Sequence, residues 1–356
     1  MKILKKFVCL LLCVCTCLTF TACECSSENG DYADFYYFNT QITVQVNSKT
    51  LSDSTKDKIS ALLKELDDGY KISNQNSLTY KFNSLSVGGS MQISDFEQKV
   101  FEDCLNFYSY SEKKFNPAVL PLSELWQFYP SYPVQNFTPP TLDSINQVLN
   151  SGILDFENAF TIADGVLTKL TNAKIDFGGI IKGYAVDKVG QILEHDGYTD
   201  GYVNAGGSSL RILDADGLGI IHPRKDGQII NVTKRLKDIS VSTSGDYQRF
   251  YQVENQRYSH IIDTLSGMPM NTGVQSATVL CPDASFADAL STALCLCEYS
   301  DSNNQLTDLC QKILQTYPDA WIFVALEKGS QKIVLTNKTV NQDFTLLDQT
   351  YQVVNI

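Results

Sequence analysis

From Thr40 to Val46 the chain alternates: Thr40, Ile42, Val44 and Val46 stand against Gln41, Thr43 and Gln45. A period of two predicts a half-buried strand. The period then lengthens. Ile59, Leu62, Leu63 and Leu66 recur at helical spacing behind a Ser52 or Ser54 cap, and Phe96, Val100, Cys104 and Phe107 do so behind Ser94 and Glu97, a capping box. Residues 76–83 between them read as a loop or a short helix. Pro117 and Pro121 exclude regular helix over residues 115–121, leaving a packed connector or a pocket wall leading to Trp126. A Pro-rich surface loop (129–140), a short helix on Leu142, Ile145, Val148 and Leu149, and strands near 160–162 and 166–170 complete the first half.

The second half is richer in strands. Residues 201–203 run into a glycine turn, Asn204-Ala205-Gly206-Gly207-Ser208. Residues 239–244 and 247–253 read as a hairpin around Ser244-Gly245-Asp246, 258–263 as a strand, and 275–281 as another. A helix over 284–297 buries Phe286, Ala289, Leu290, Ala293, Leu294 and Cys297, which turns Asp288 away from the core. A helix near 305–316 and strands near 321–325, 332–336 and 344–351 finish the chain.

Residues 174–194 combine a strand, a glycine turn at Gly178-Gly179 and a helix with Ile181, Tyr184, Ala185, Lys188, Val189, Ile192 and Leu193 on its buried stripe. Bare backbone and free helix N–H groups favour an anion there. Asp176 precedes the turn and Lys182 lies in the first helical turn, where a cation reaches a phosphate. A tight junction with two solvated charges is the competing reading. Neither a nucleotide P-loop nor a Gly-x-Gly-x-x-Gly fingerprint is present.

Composition narrows the class. Content of 43% hydrophobic and 19% charged residues over 356 positions is that of a globular protein with a sizeable core. The N-terminus has Lys2, Lys5 and Lys6 before a mostly apolar run, then Phe20-Thr21-Ala22-Cys23, close to a bacterial lipobox. This predicts a lipoprotein signal peptide over residues 1–22, lipidation at Cys23 and a polar tether over 23–34. The protein would be exported and lipid-anchored to the outer face of the cytoplasmic membrane. Removing residues 1–22 removes three Lys and no acid, so 25 basic and 40 acidic residues remain, a net of −15. That balance argues against nucleic acid as a partner and implies a bridging cation for any phosphorylated ligand. Cys104, Cys281, Cys295, Cys297 and Cys310 sit in apolar contexts and read as small buried hydrophobes.

Two places carry candidate chemistry. Asp288, Ser291 and Thr292 stand at i, i+3 and i+4, so their oxygens share a helix face. One carboxylate with hydroxyls suits Mg²⁺, which completes its octahedron with phosphate and water. The alternative is a polar face with Ser291 or Thr292 bonding back to helix carbonyls. His260, on the strand read over 258–263, is a candidate general base or a structural histidine.

Taken in order, these segments resemble the ApbE family of FAD:protein FMN transferases. Phe38-Asn39-Thr40 is similar to the family's opening Met-Gly-Thr strand, and Phe115-Asn116-Pro117-Ala118-Val119 to its Phe-Asp-Pro-Thr-Val loop. Residues 176–185 resemble Asp-Leu-Gly-Gly-Ile-Ala-Lys-Gly-Tyr-Ala. Val203–Gly207, Ser242–Tyr247, Ser259–Asp263 and Ala287–Leu294 follow in family order. The departures are Asn116 for Asp and Ala118 for Thr.

The resemblance implies an α+β fold, a single large domain over residues 35–356 with two interleaved lobes and a flavin-binding cleft between them. It implies an enzyme that takes FAD as substrate, needs Mg²⁺, transfers FMN to a Thr or Ser hydroxyl of a target exported flavoprotein and releases AMP. On the family pattern Phe38, Phe115, Asn116, Pro117, Asp176, Lys182 and Ile262 contact FAD. The Gly179 carbonyl, Asp288 and Thr292 would hold the metal with Ser291 adjacent; His260 is our candidate for accepting the acceptor proton. The rivals are an FAD pyrophosphatase using the same site and a flavin-binding lipoprotein without catalysis.

Overall fold

The computed structural model describes residues 30–300 and 304–356. The expected signal segment, Cys23 and most of the expected tether lie outside the described residues. The frame is a nine-stranded sheet in the spatial order Asp31–Tyr37, Thr40–Val46, Gly201–Ala205, Ser209–Ala215, Leu236–Gly245, Val274–Cys281, Trp321–Lys328, Gln331–Thr336 and Gln352–Asn355. Neighbours run antiparallel except the last pair, which is parallel.

Helices Asp53–Tyr70, Asp95–Tyr110, Ile181–His195, Ala284–Cys295 and Gln305–Thr316 cover one face, through Ile59, Val100, Val189, Leu290 and Leu309. A three-stranded sheet, Leu218–Ile221, Gln228–Val232 and Phe344–Leu346, covers part of the other, on Val241, Leu280 and Phe323. With both faces covered, Val274–Cys281 is buried at every position, so it reads as a continuous rather than an alternating strand.

The chain leaves the large sheet at Val46 and re-enters it at Gly201. The intervening residues supply three of the covering helices and most of a second lobe. It contains the small sheet Ser90–Gln92, Val166–Lys169, Phe160–Ala163 and a satellite core of Leu122, Trp126, Ile145, Leu154 and Ile262. Trp126 donates its ring N–H to the Gly267 carbonyl at 2.8 Å and stacks on Tyr258, which anchors the end of the stretch before it in this core.

Local expectations change in several places. The first strand begins at Asp31, so Asp31 to Asp34 belong to the sheet rather than to a tether. Residues 117–125 are helical, a 3₁₀ turn Pro117–Val119 running into Leu120–Leu125; both prolines sit in first turns, where the missing N–H has no partner to lose. No hairpin forms at Ser244-Gly245-Asp246. Leu236–Gly245 is flanked on both sides, by Ser209–Ala215 and Val274–Cys281, so no edge is open for a return strand. Phe250–Val253 pairs with Gln256–Ser259 instead. That strand ends at Ser259, and Ile262–Asp263 pairs separately with Met268–Pro269, leaving His260 in the break. The strand predicted over 344–351 stops at Leu346, and Gln352–Asn355 beyond it is a separate strand in the large sheet. The five cysteines expected to be small hydrophobes are all buried and free.

Candidate active site

Helix Ile181–His195 starts without a side-chain cap from its own N-cap residue. Its Gly183 N–H donates to Asp288 Oδ2 at 3.1 Å, from the neighbouring helix Ala284–Cys295. A Cβ at residue 183 would lie 2.4 Å from the Ala284 carbonyl oxygen, so only glycine lets the two helices meet this closely. The carboxylate thus sits at a helix N-terminus, where the peptide dipoles favour negative charge. One of the N–H groups that the sequence offered to an external anion is occupied from within the fold.

Asp288 Oδ1 accepts the Ser242 hydroxyl at 2.8 Å and the Ser209 hydroxyl at 3.1 Å, and the Lys182 ammonium stands 3.8 Å away. Ser209 and Ser242 are direct cross-strand partners. Asp288 is 3% exposed, which corrects its expected place on an outward face. The face is buried because strand Leu236–Gly245 presents serines, not apolar residues, to this helix. The next rung is Ser244, whose hydroxyl lies 2.9 Å from that of Ser291 and 3.0 Å from that of Thr292. Ser291 and Thr292 also bond back to the Asp288 carbonyl, at 3.0 and 3.3 Å. The back-bonding expected of a polar face is therefore present, and both hydroxyls also converge on one strand residue, Ser244.

The glycine turn is built from behind. A Cβ at Gly179 would meet the Phe115 ring at 3.2 Å, and Phe115 is buried against Phe107. Pro117 accepts the Asp176 N–H at 2.8 Å, and Asp176 Oδ1 accepts the Gly178 N–H at 2.7 Å. Burial lifts the Asp176 carboxyl above its usual range, against the Gly178 bond and the charges of Arg249 and Lys182. Asn116 accepts the Ala118 N–H at 2.9 Å and donates to the Leu154 carbonyl and Thr264 hydroxyl at 2.9 and 3.0 Å. An ionised Asp cannot donate to a carbonyl, so the departure to Asn has a structural use.

His260 Nδ1 lies 3.1 Å from the Arg249 carbonyl, which also accepts the His260 N–H at 3.0 Å. A carbonyl only accepts, so Nδ1 carries the proton and Nε2 keeps its lone pair. Burial, then the Arg249 charge, push the imidazole down to about 4, with Lys182 adding to the shift. Ile262 is buried beside Trp126. Phe38 holds a positive φ of 54° in the two-residue turn between the first strands, and its N–H reaches Asp67 Oδ1 at 3.1 Å. That conformation is uncommon for a bulky residue. Cavities of about 380 and 480 Å³ lie at Lys58–Asp196 and at His222–Arg257, and neither is lined by Asp176, Lys182 or Asp288.

Three participants escaped the sequence reading. Arg249 is exposed beside Asp176 and His260, but nothing in its local sequence marks it. Ser209 and Ser242 did carry a signal: a hydroxyl at an inward position of a central strand needs a polar partner.

The sequence model of the ApbE family matches residues 38–313. The chain belongs to the ApbE family. Two relatives are named FAD:protein FMN transferase. The Vibrio cholerae protein is 30% identical over 254 residues, covering 70% of this chain and 73% of the relative. The Treponema pallidum protein is 31% identical over 224 residues, covering 57% and 60%. The crystal structure of the ApbE protein from Thermotoga maritima superposes with a TM-score of 0.71 at 27% identity, covering 83% of this chain and 94% of the other. The ApbE match takes in every candidate site residue from Phe38 to Thr292, and the α+β fold expected of the family is the fold observed.

Proposed function

We infer that this protein transfers FMN from FAD to a Thr or Ser hydroxyl of a target exported flavoprotein, with Mg²⁺ held at the Asp288–Thr292 face and AMP released. The observation that carries this reading is the gathering of Asp288, Thr292, Ser244 and Lys182 at one junction of two helices and a strand, within the ApbE match. Its donors, one carboxylate with hydroxyls, are hard oxygens that leave positions for phosphate and water, which fits Mg²⁺. Asp288, Thr292 and the Gly179 carbonyl would hold the ion, with Ser291 adjacent, and its charge would offset that of the diphosphate.

The chain's own residues supply the rest. Lys182 and Arg249 are the cations that face the diphosphate. The acceptor oxygen attacks the phosphorus on the FMN side, the P–O bond to the AMP phosphate breaks, and AMP leaves with the electron pair. The acceptor proton passes to Nε2 of His260. Phe38, Phe115, Asn116, Pro117, Asp176 and Ile262 frame the flavin side, and the Phe115 ring also backs Gly179. Lipid on Cys23 holds the enzyme at the outer face of the cytoplasmic membrane; among the described residues no helix is long and apolar enough to cross one. Replacing Cys23 by Ala is therefore expected to release the protein from the membrane fraction.

The deciding experiment incubates the protein with FAD, Mg²⁺ and candidate exported flavoproteins. An FMN mass added to a Thr or Ser peptide, matched by AMP, is the expected result. FMN released at the same rate with and without an acceptor points to a pyrophosphatase, and tight FAD binding without turnover to a binding protein.

A further inference from the structure

Asp288 is half of a reciprocal arrangement. Helix Ala284–Cys295 sends Asp288 to the Gly183 N–H of helix Ile181–His195. Helix Ile181–His195 sends Asp187 back, its Oδ2 accepting the Ala284 N–H at 3.1 Å. Each carboxylate takes its second bond from the same strand: Asp187 Oδ1 from the Ser240 hydroxyl at 2.8 Å, and Asp288 Oδ1 from Ser242 at 2.8 Å. Gly183 and Asp187 are four helical residues apart, as are Ala284 and Asp288, a rise of about 6 Å. Ser240 and Ser242 are two strand residues apart, about 6.6 Å on one face. The spacings match, so one serine row registers both helices, and Ser244 extends it to Ser291 and Thr292.

Ala284 is the first residue of the helix that carries Asp288 and Thr292. Its N–H is one of the groups a helix start leaves without an internal partner. The Asp187–Ser240 pair fixes that start from outside the ligand set.

We propose that Asp187, oriented by Ser240, is a positioning residue that sets the register of helix Ala284–Cys295 and so places Asp288 and Thr292 for the metal. The proposal rests on the reading of that face as the metal face. Groups that orient metal ligands without touching the ion act on affinity as well as on stability. Asp187→Ala removes both bonds. Asp187→Asn can keep both, its Oδ1 accepting from Ala284 and its Nδ2 donating to Ser240.

The test measures Mn²⁺ binding to folded protein from the free-ion signal in electron paramagnetic resonance, with FAD present and no acceptor. Asp187→Ala is expected to bind about tenfold more weakly or worse, Ser240→Ala to weaken in the same direction, and Asp187→Asn to stay near wild type. If Asp187→Ala does not fold, Ser240→Ala decides the matter. Folded variants with wild-type affinity, or an Asn variant as weak as the Ala variant, overturn the positioning role alone. A wild-type protein that binds no Mn²⁺ with FAD present overturns the metal reading and this inference with it.

Discussion

The Gly183 N–H and the Asp288 carboxylate meet at 3.1 Å where two helices are in closest contact. Gly183 has no side chain because the Ala284 carbonyl occupies that space. The same contact turns Asp288 inward, onto Ser209, Ser242 and Lys182. A residue that reads as a surface metal ligand is therefore also a core hydrogen-bond acceptor.

Asp288→Ala is expected to act in two ways. It removes the sole carboxylate of the proposed metal set, so transfer falls by about two orders of magnitude, the scale of losing a key electrostatic group. It also leaves the Gly183 N–H without its acceptor, whereas the Ser242 hydroxyl keeps the Ser208 carbonyl at 3.0 Å and the Ser209 hydroxyl keeps Ser242 at 3.4 Å. A buried donor left unsatisfied costs about 1–3 kcal/mol, so thermal unfolding moves down as well. FMN transfer across a Mg²⁺ series, with a melting curve on the same samples, checks both. Near wild-type transfer with unchanged Mg²⁺ dependence in a folded variant sinks the metal assignment.

Gly183→Ala tests the close approach itself. The new methyl group would sit 2.4 Å from a backbone oxygen, which no rotamer relieves. Overpacking of this kind costs roughly 1–3 kcal/mol. Urea unfolding reads the loss; a variant as stable as wild type would show that the helices separate at no cost.

Most of the fold was legible because its signals are local. The alternation at Ile42, Val44 and Val46 and the capping box at Ser94 and Glu97 each report on one element. The misread hairpin after Ser244 depended on which strands flank Leu236–Gly245, and that is a tertiary fact. The site divides in the same way. Ordered motifs gave Asp176, Lys182 and Asp288. Arg249 comes to His260 only through the chain path after Gly245, and no local pattern encodes that approach. The buried side of Asp288 was hidden because a helix was judged from its own stripe, while the strand beneath it carries Ser240, Ser242 and Ser244.

Arg249→Gln tests the cation that sequence reasoning missed. A hydrogen bond to a charged group contributes about 1.5–3 kcal/mol, so kcat/KM for FAD is expected to fall roughly ten- to a hundredfold. The His260 backbone contacts run to the Arg249 carbonyl and survive the change. Steady-state kinetics at two salt concentrations separate charge from folding: the variant loses part of the salt sensitivity of FAD capture. Wild-type kinetics in Arg249→Gln would remove this residue from the site.

The last prediction follows from His260. In the free protein its imidazole is pushed down to about 4 by burial and by the charges of Arg249 and Lys182, against an ordinary value of 6.5. It is neutral at pH 7, with Nε2 open to accept. The acid limb of kcat/KM, which reports the free enzyme, is therefore expected near pH 4 rather than near 6.5. Bound FAD brings a diphosphate to the two cations that depress His260 and cancels part of their effect. The acid limb of kcat, which reports the complex, is then expected at higher pH than that of kcat/KM. Stability follows the same group. Between 6.5 and about 4 the unfolded chain takes up a proton that the folded imidazole refuses, so this contribution is present above the window and is lost as pH falls through it. His260→Gln should abolish both limbs and flatten that part of the stability profile. Matching limbs for kcat and kcat/KM, or a kcat limb at the lower pH, would show that His260 does not take the acceptor proton beside a neutralised Arg249.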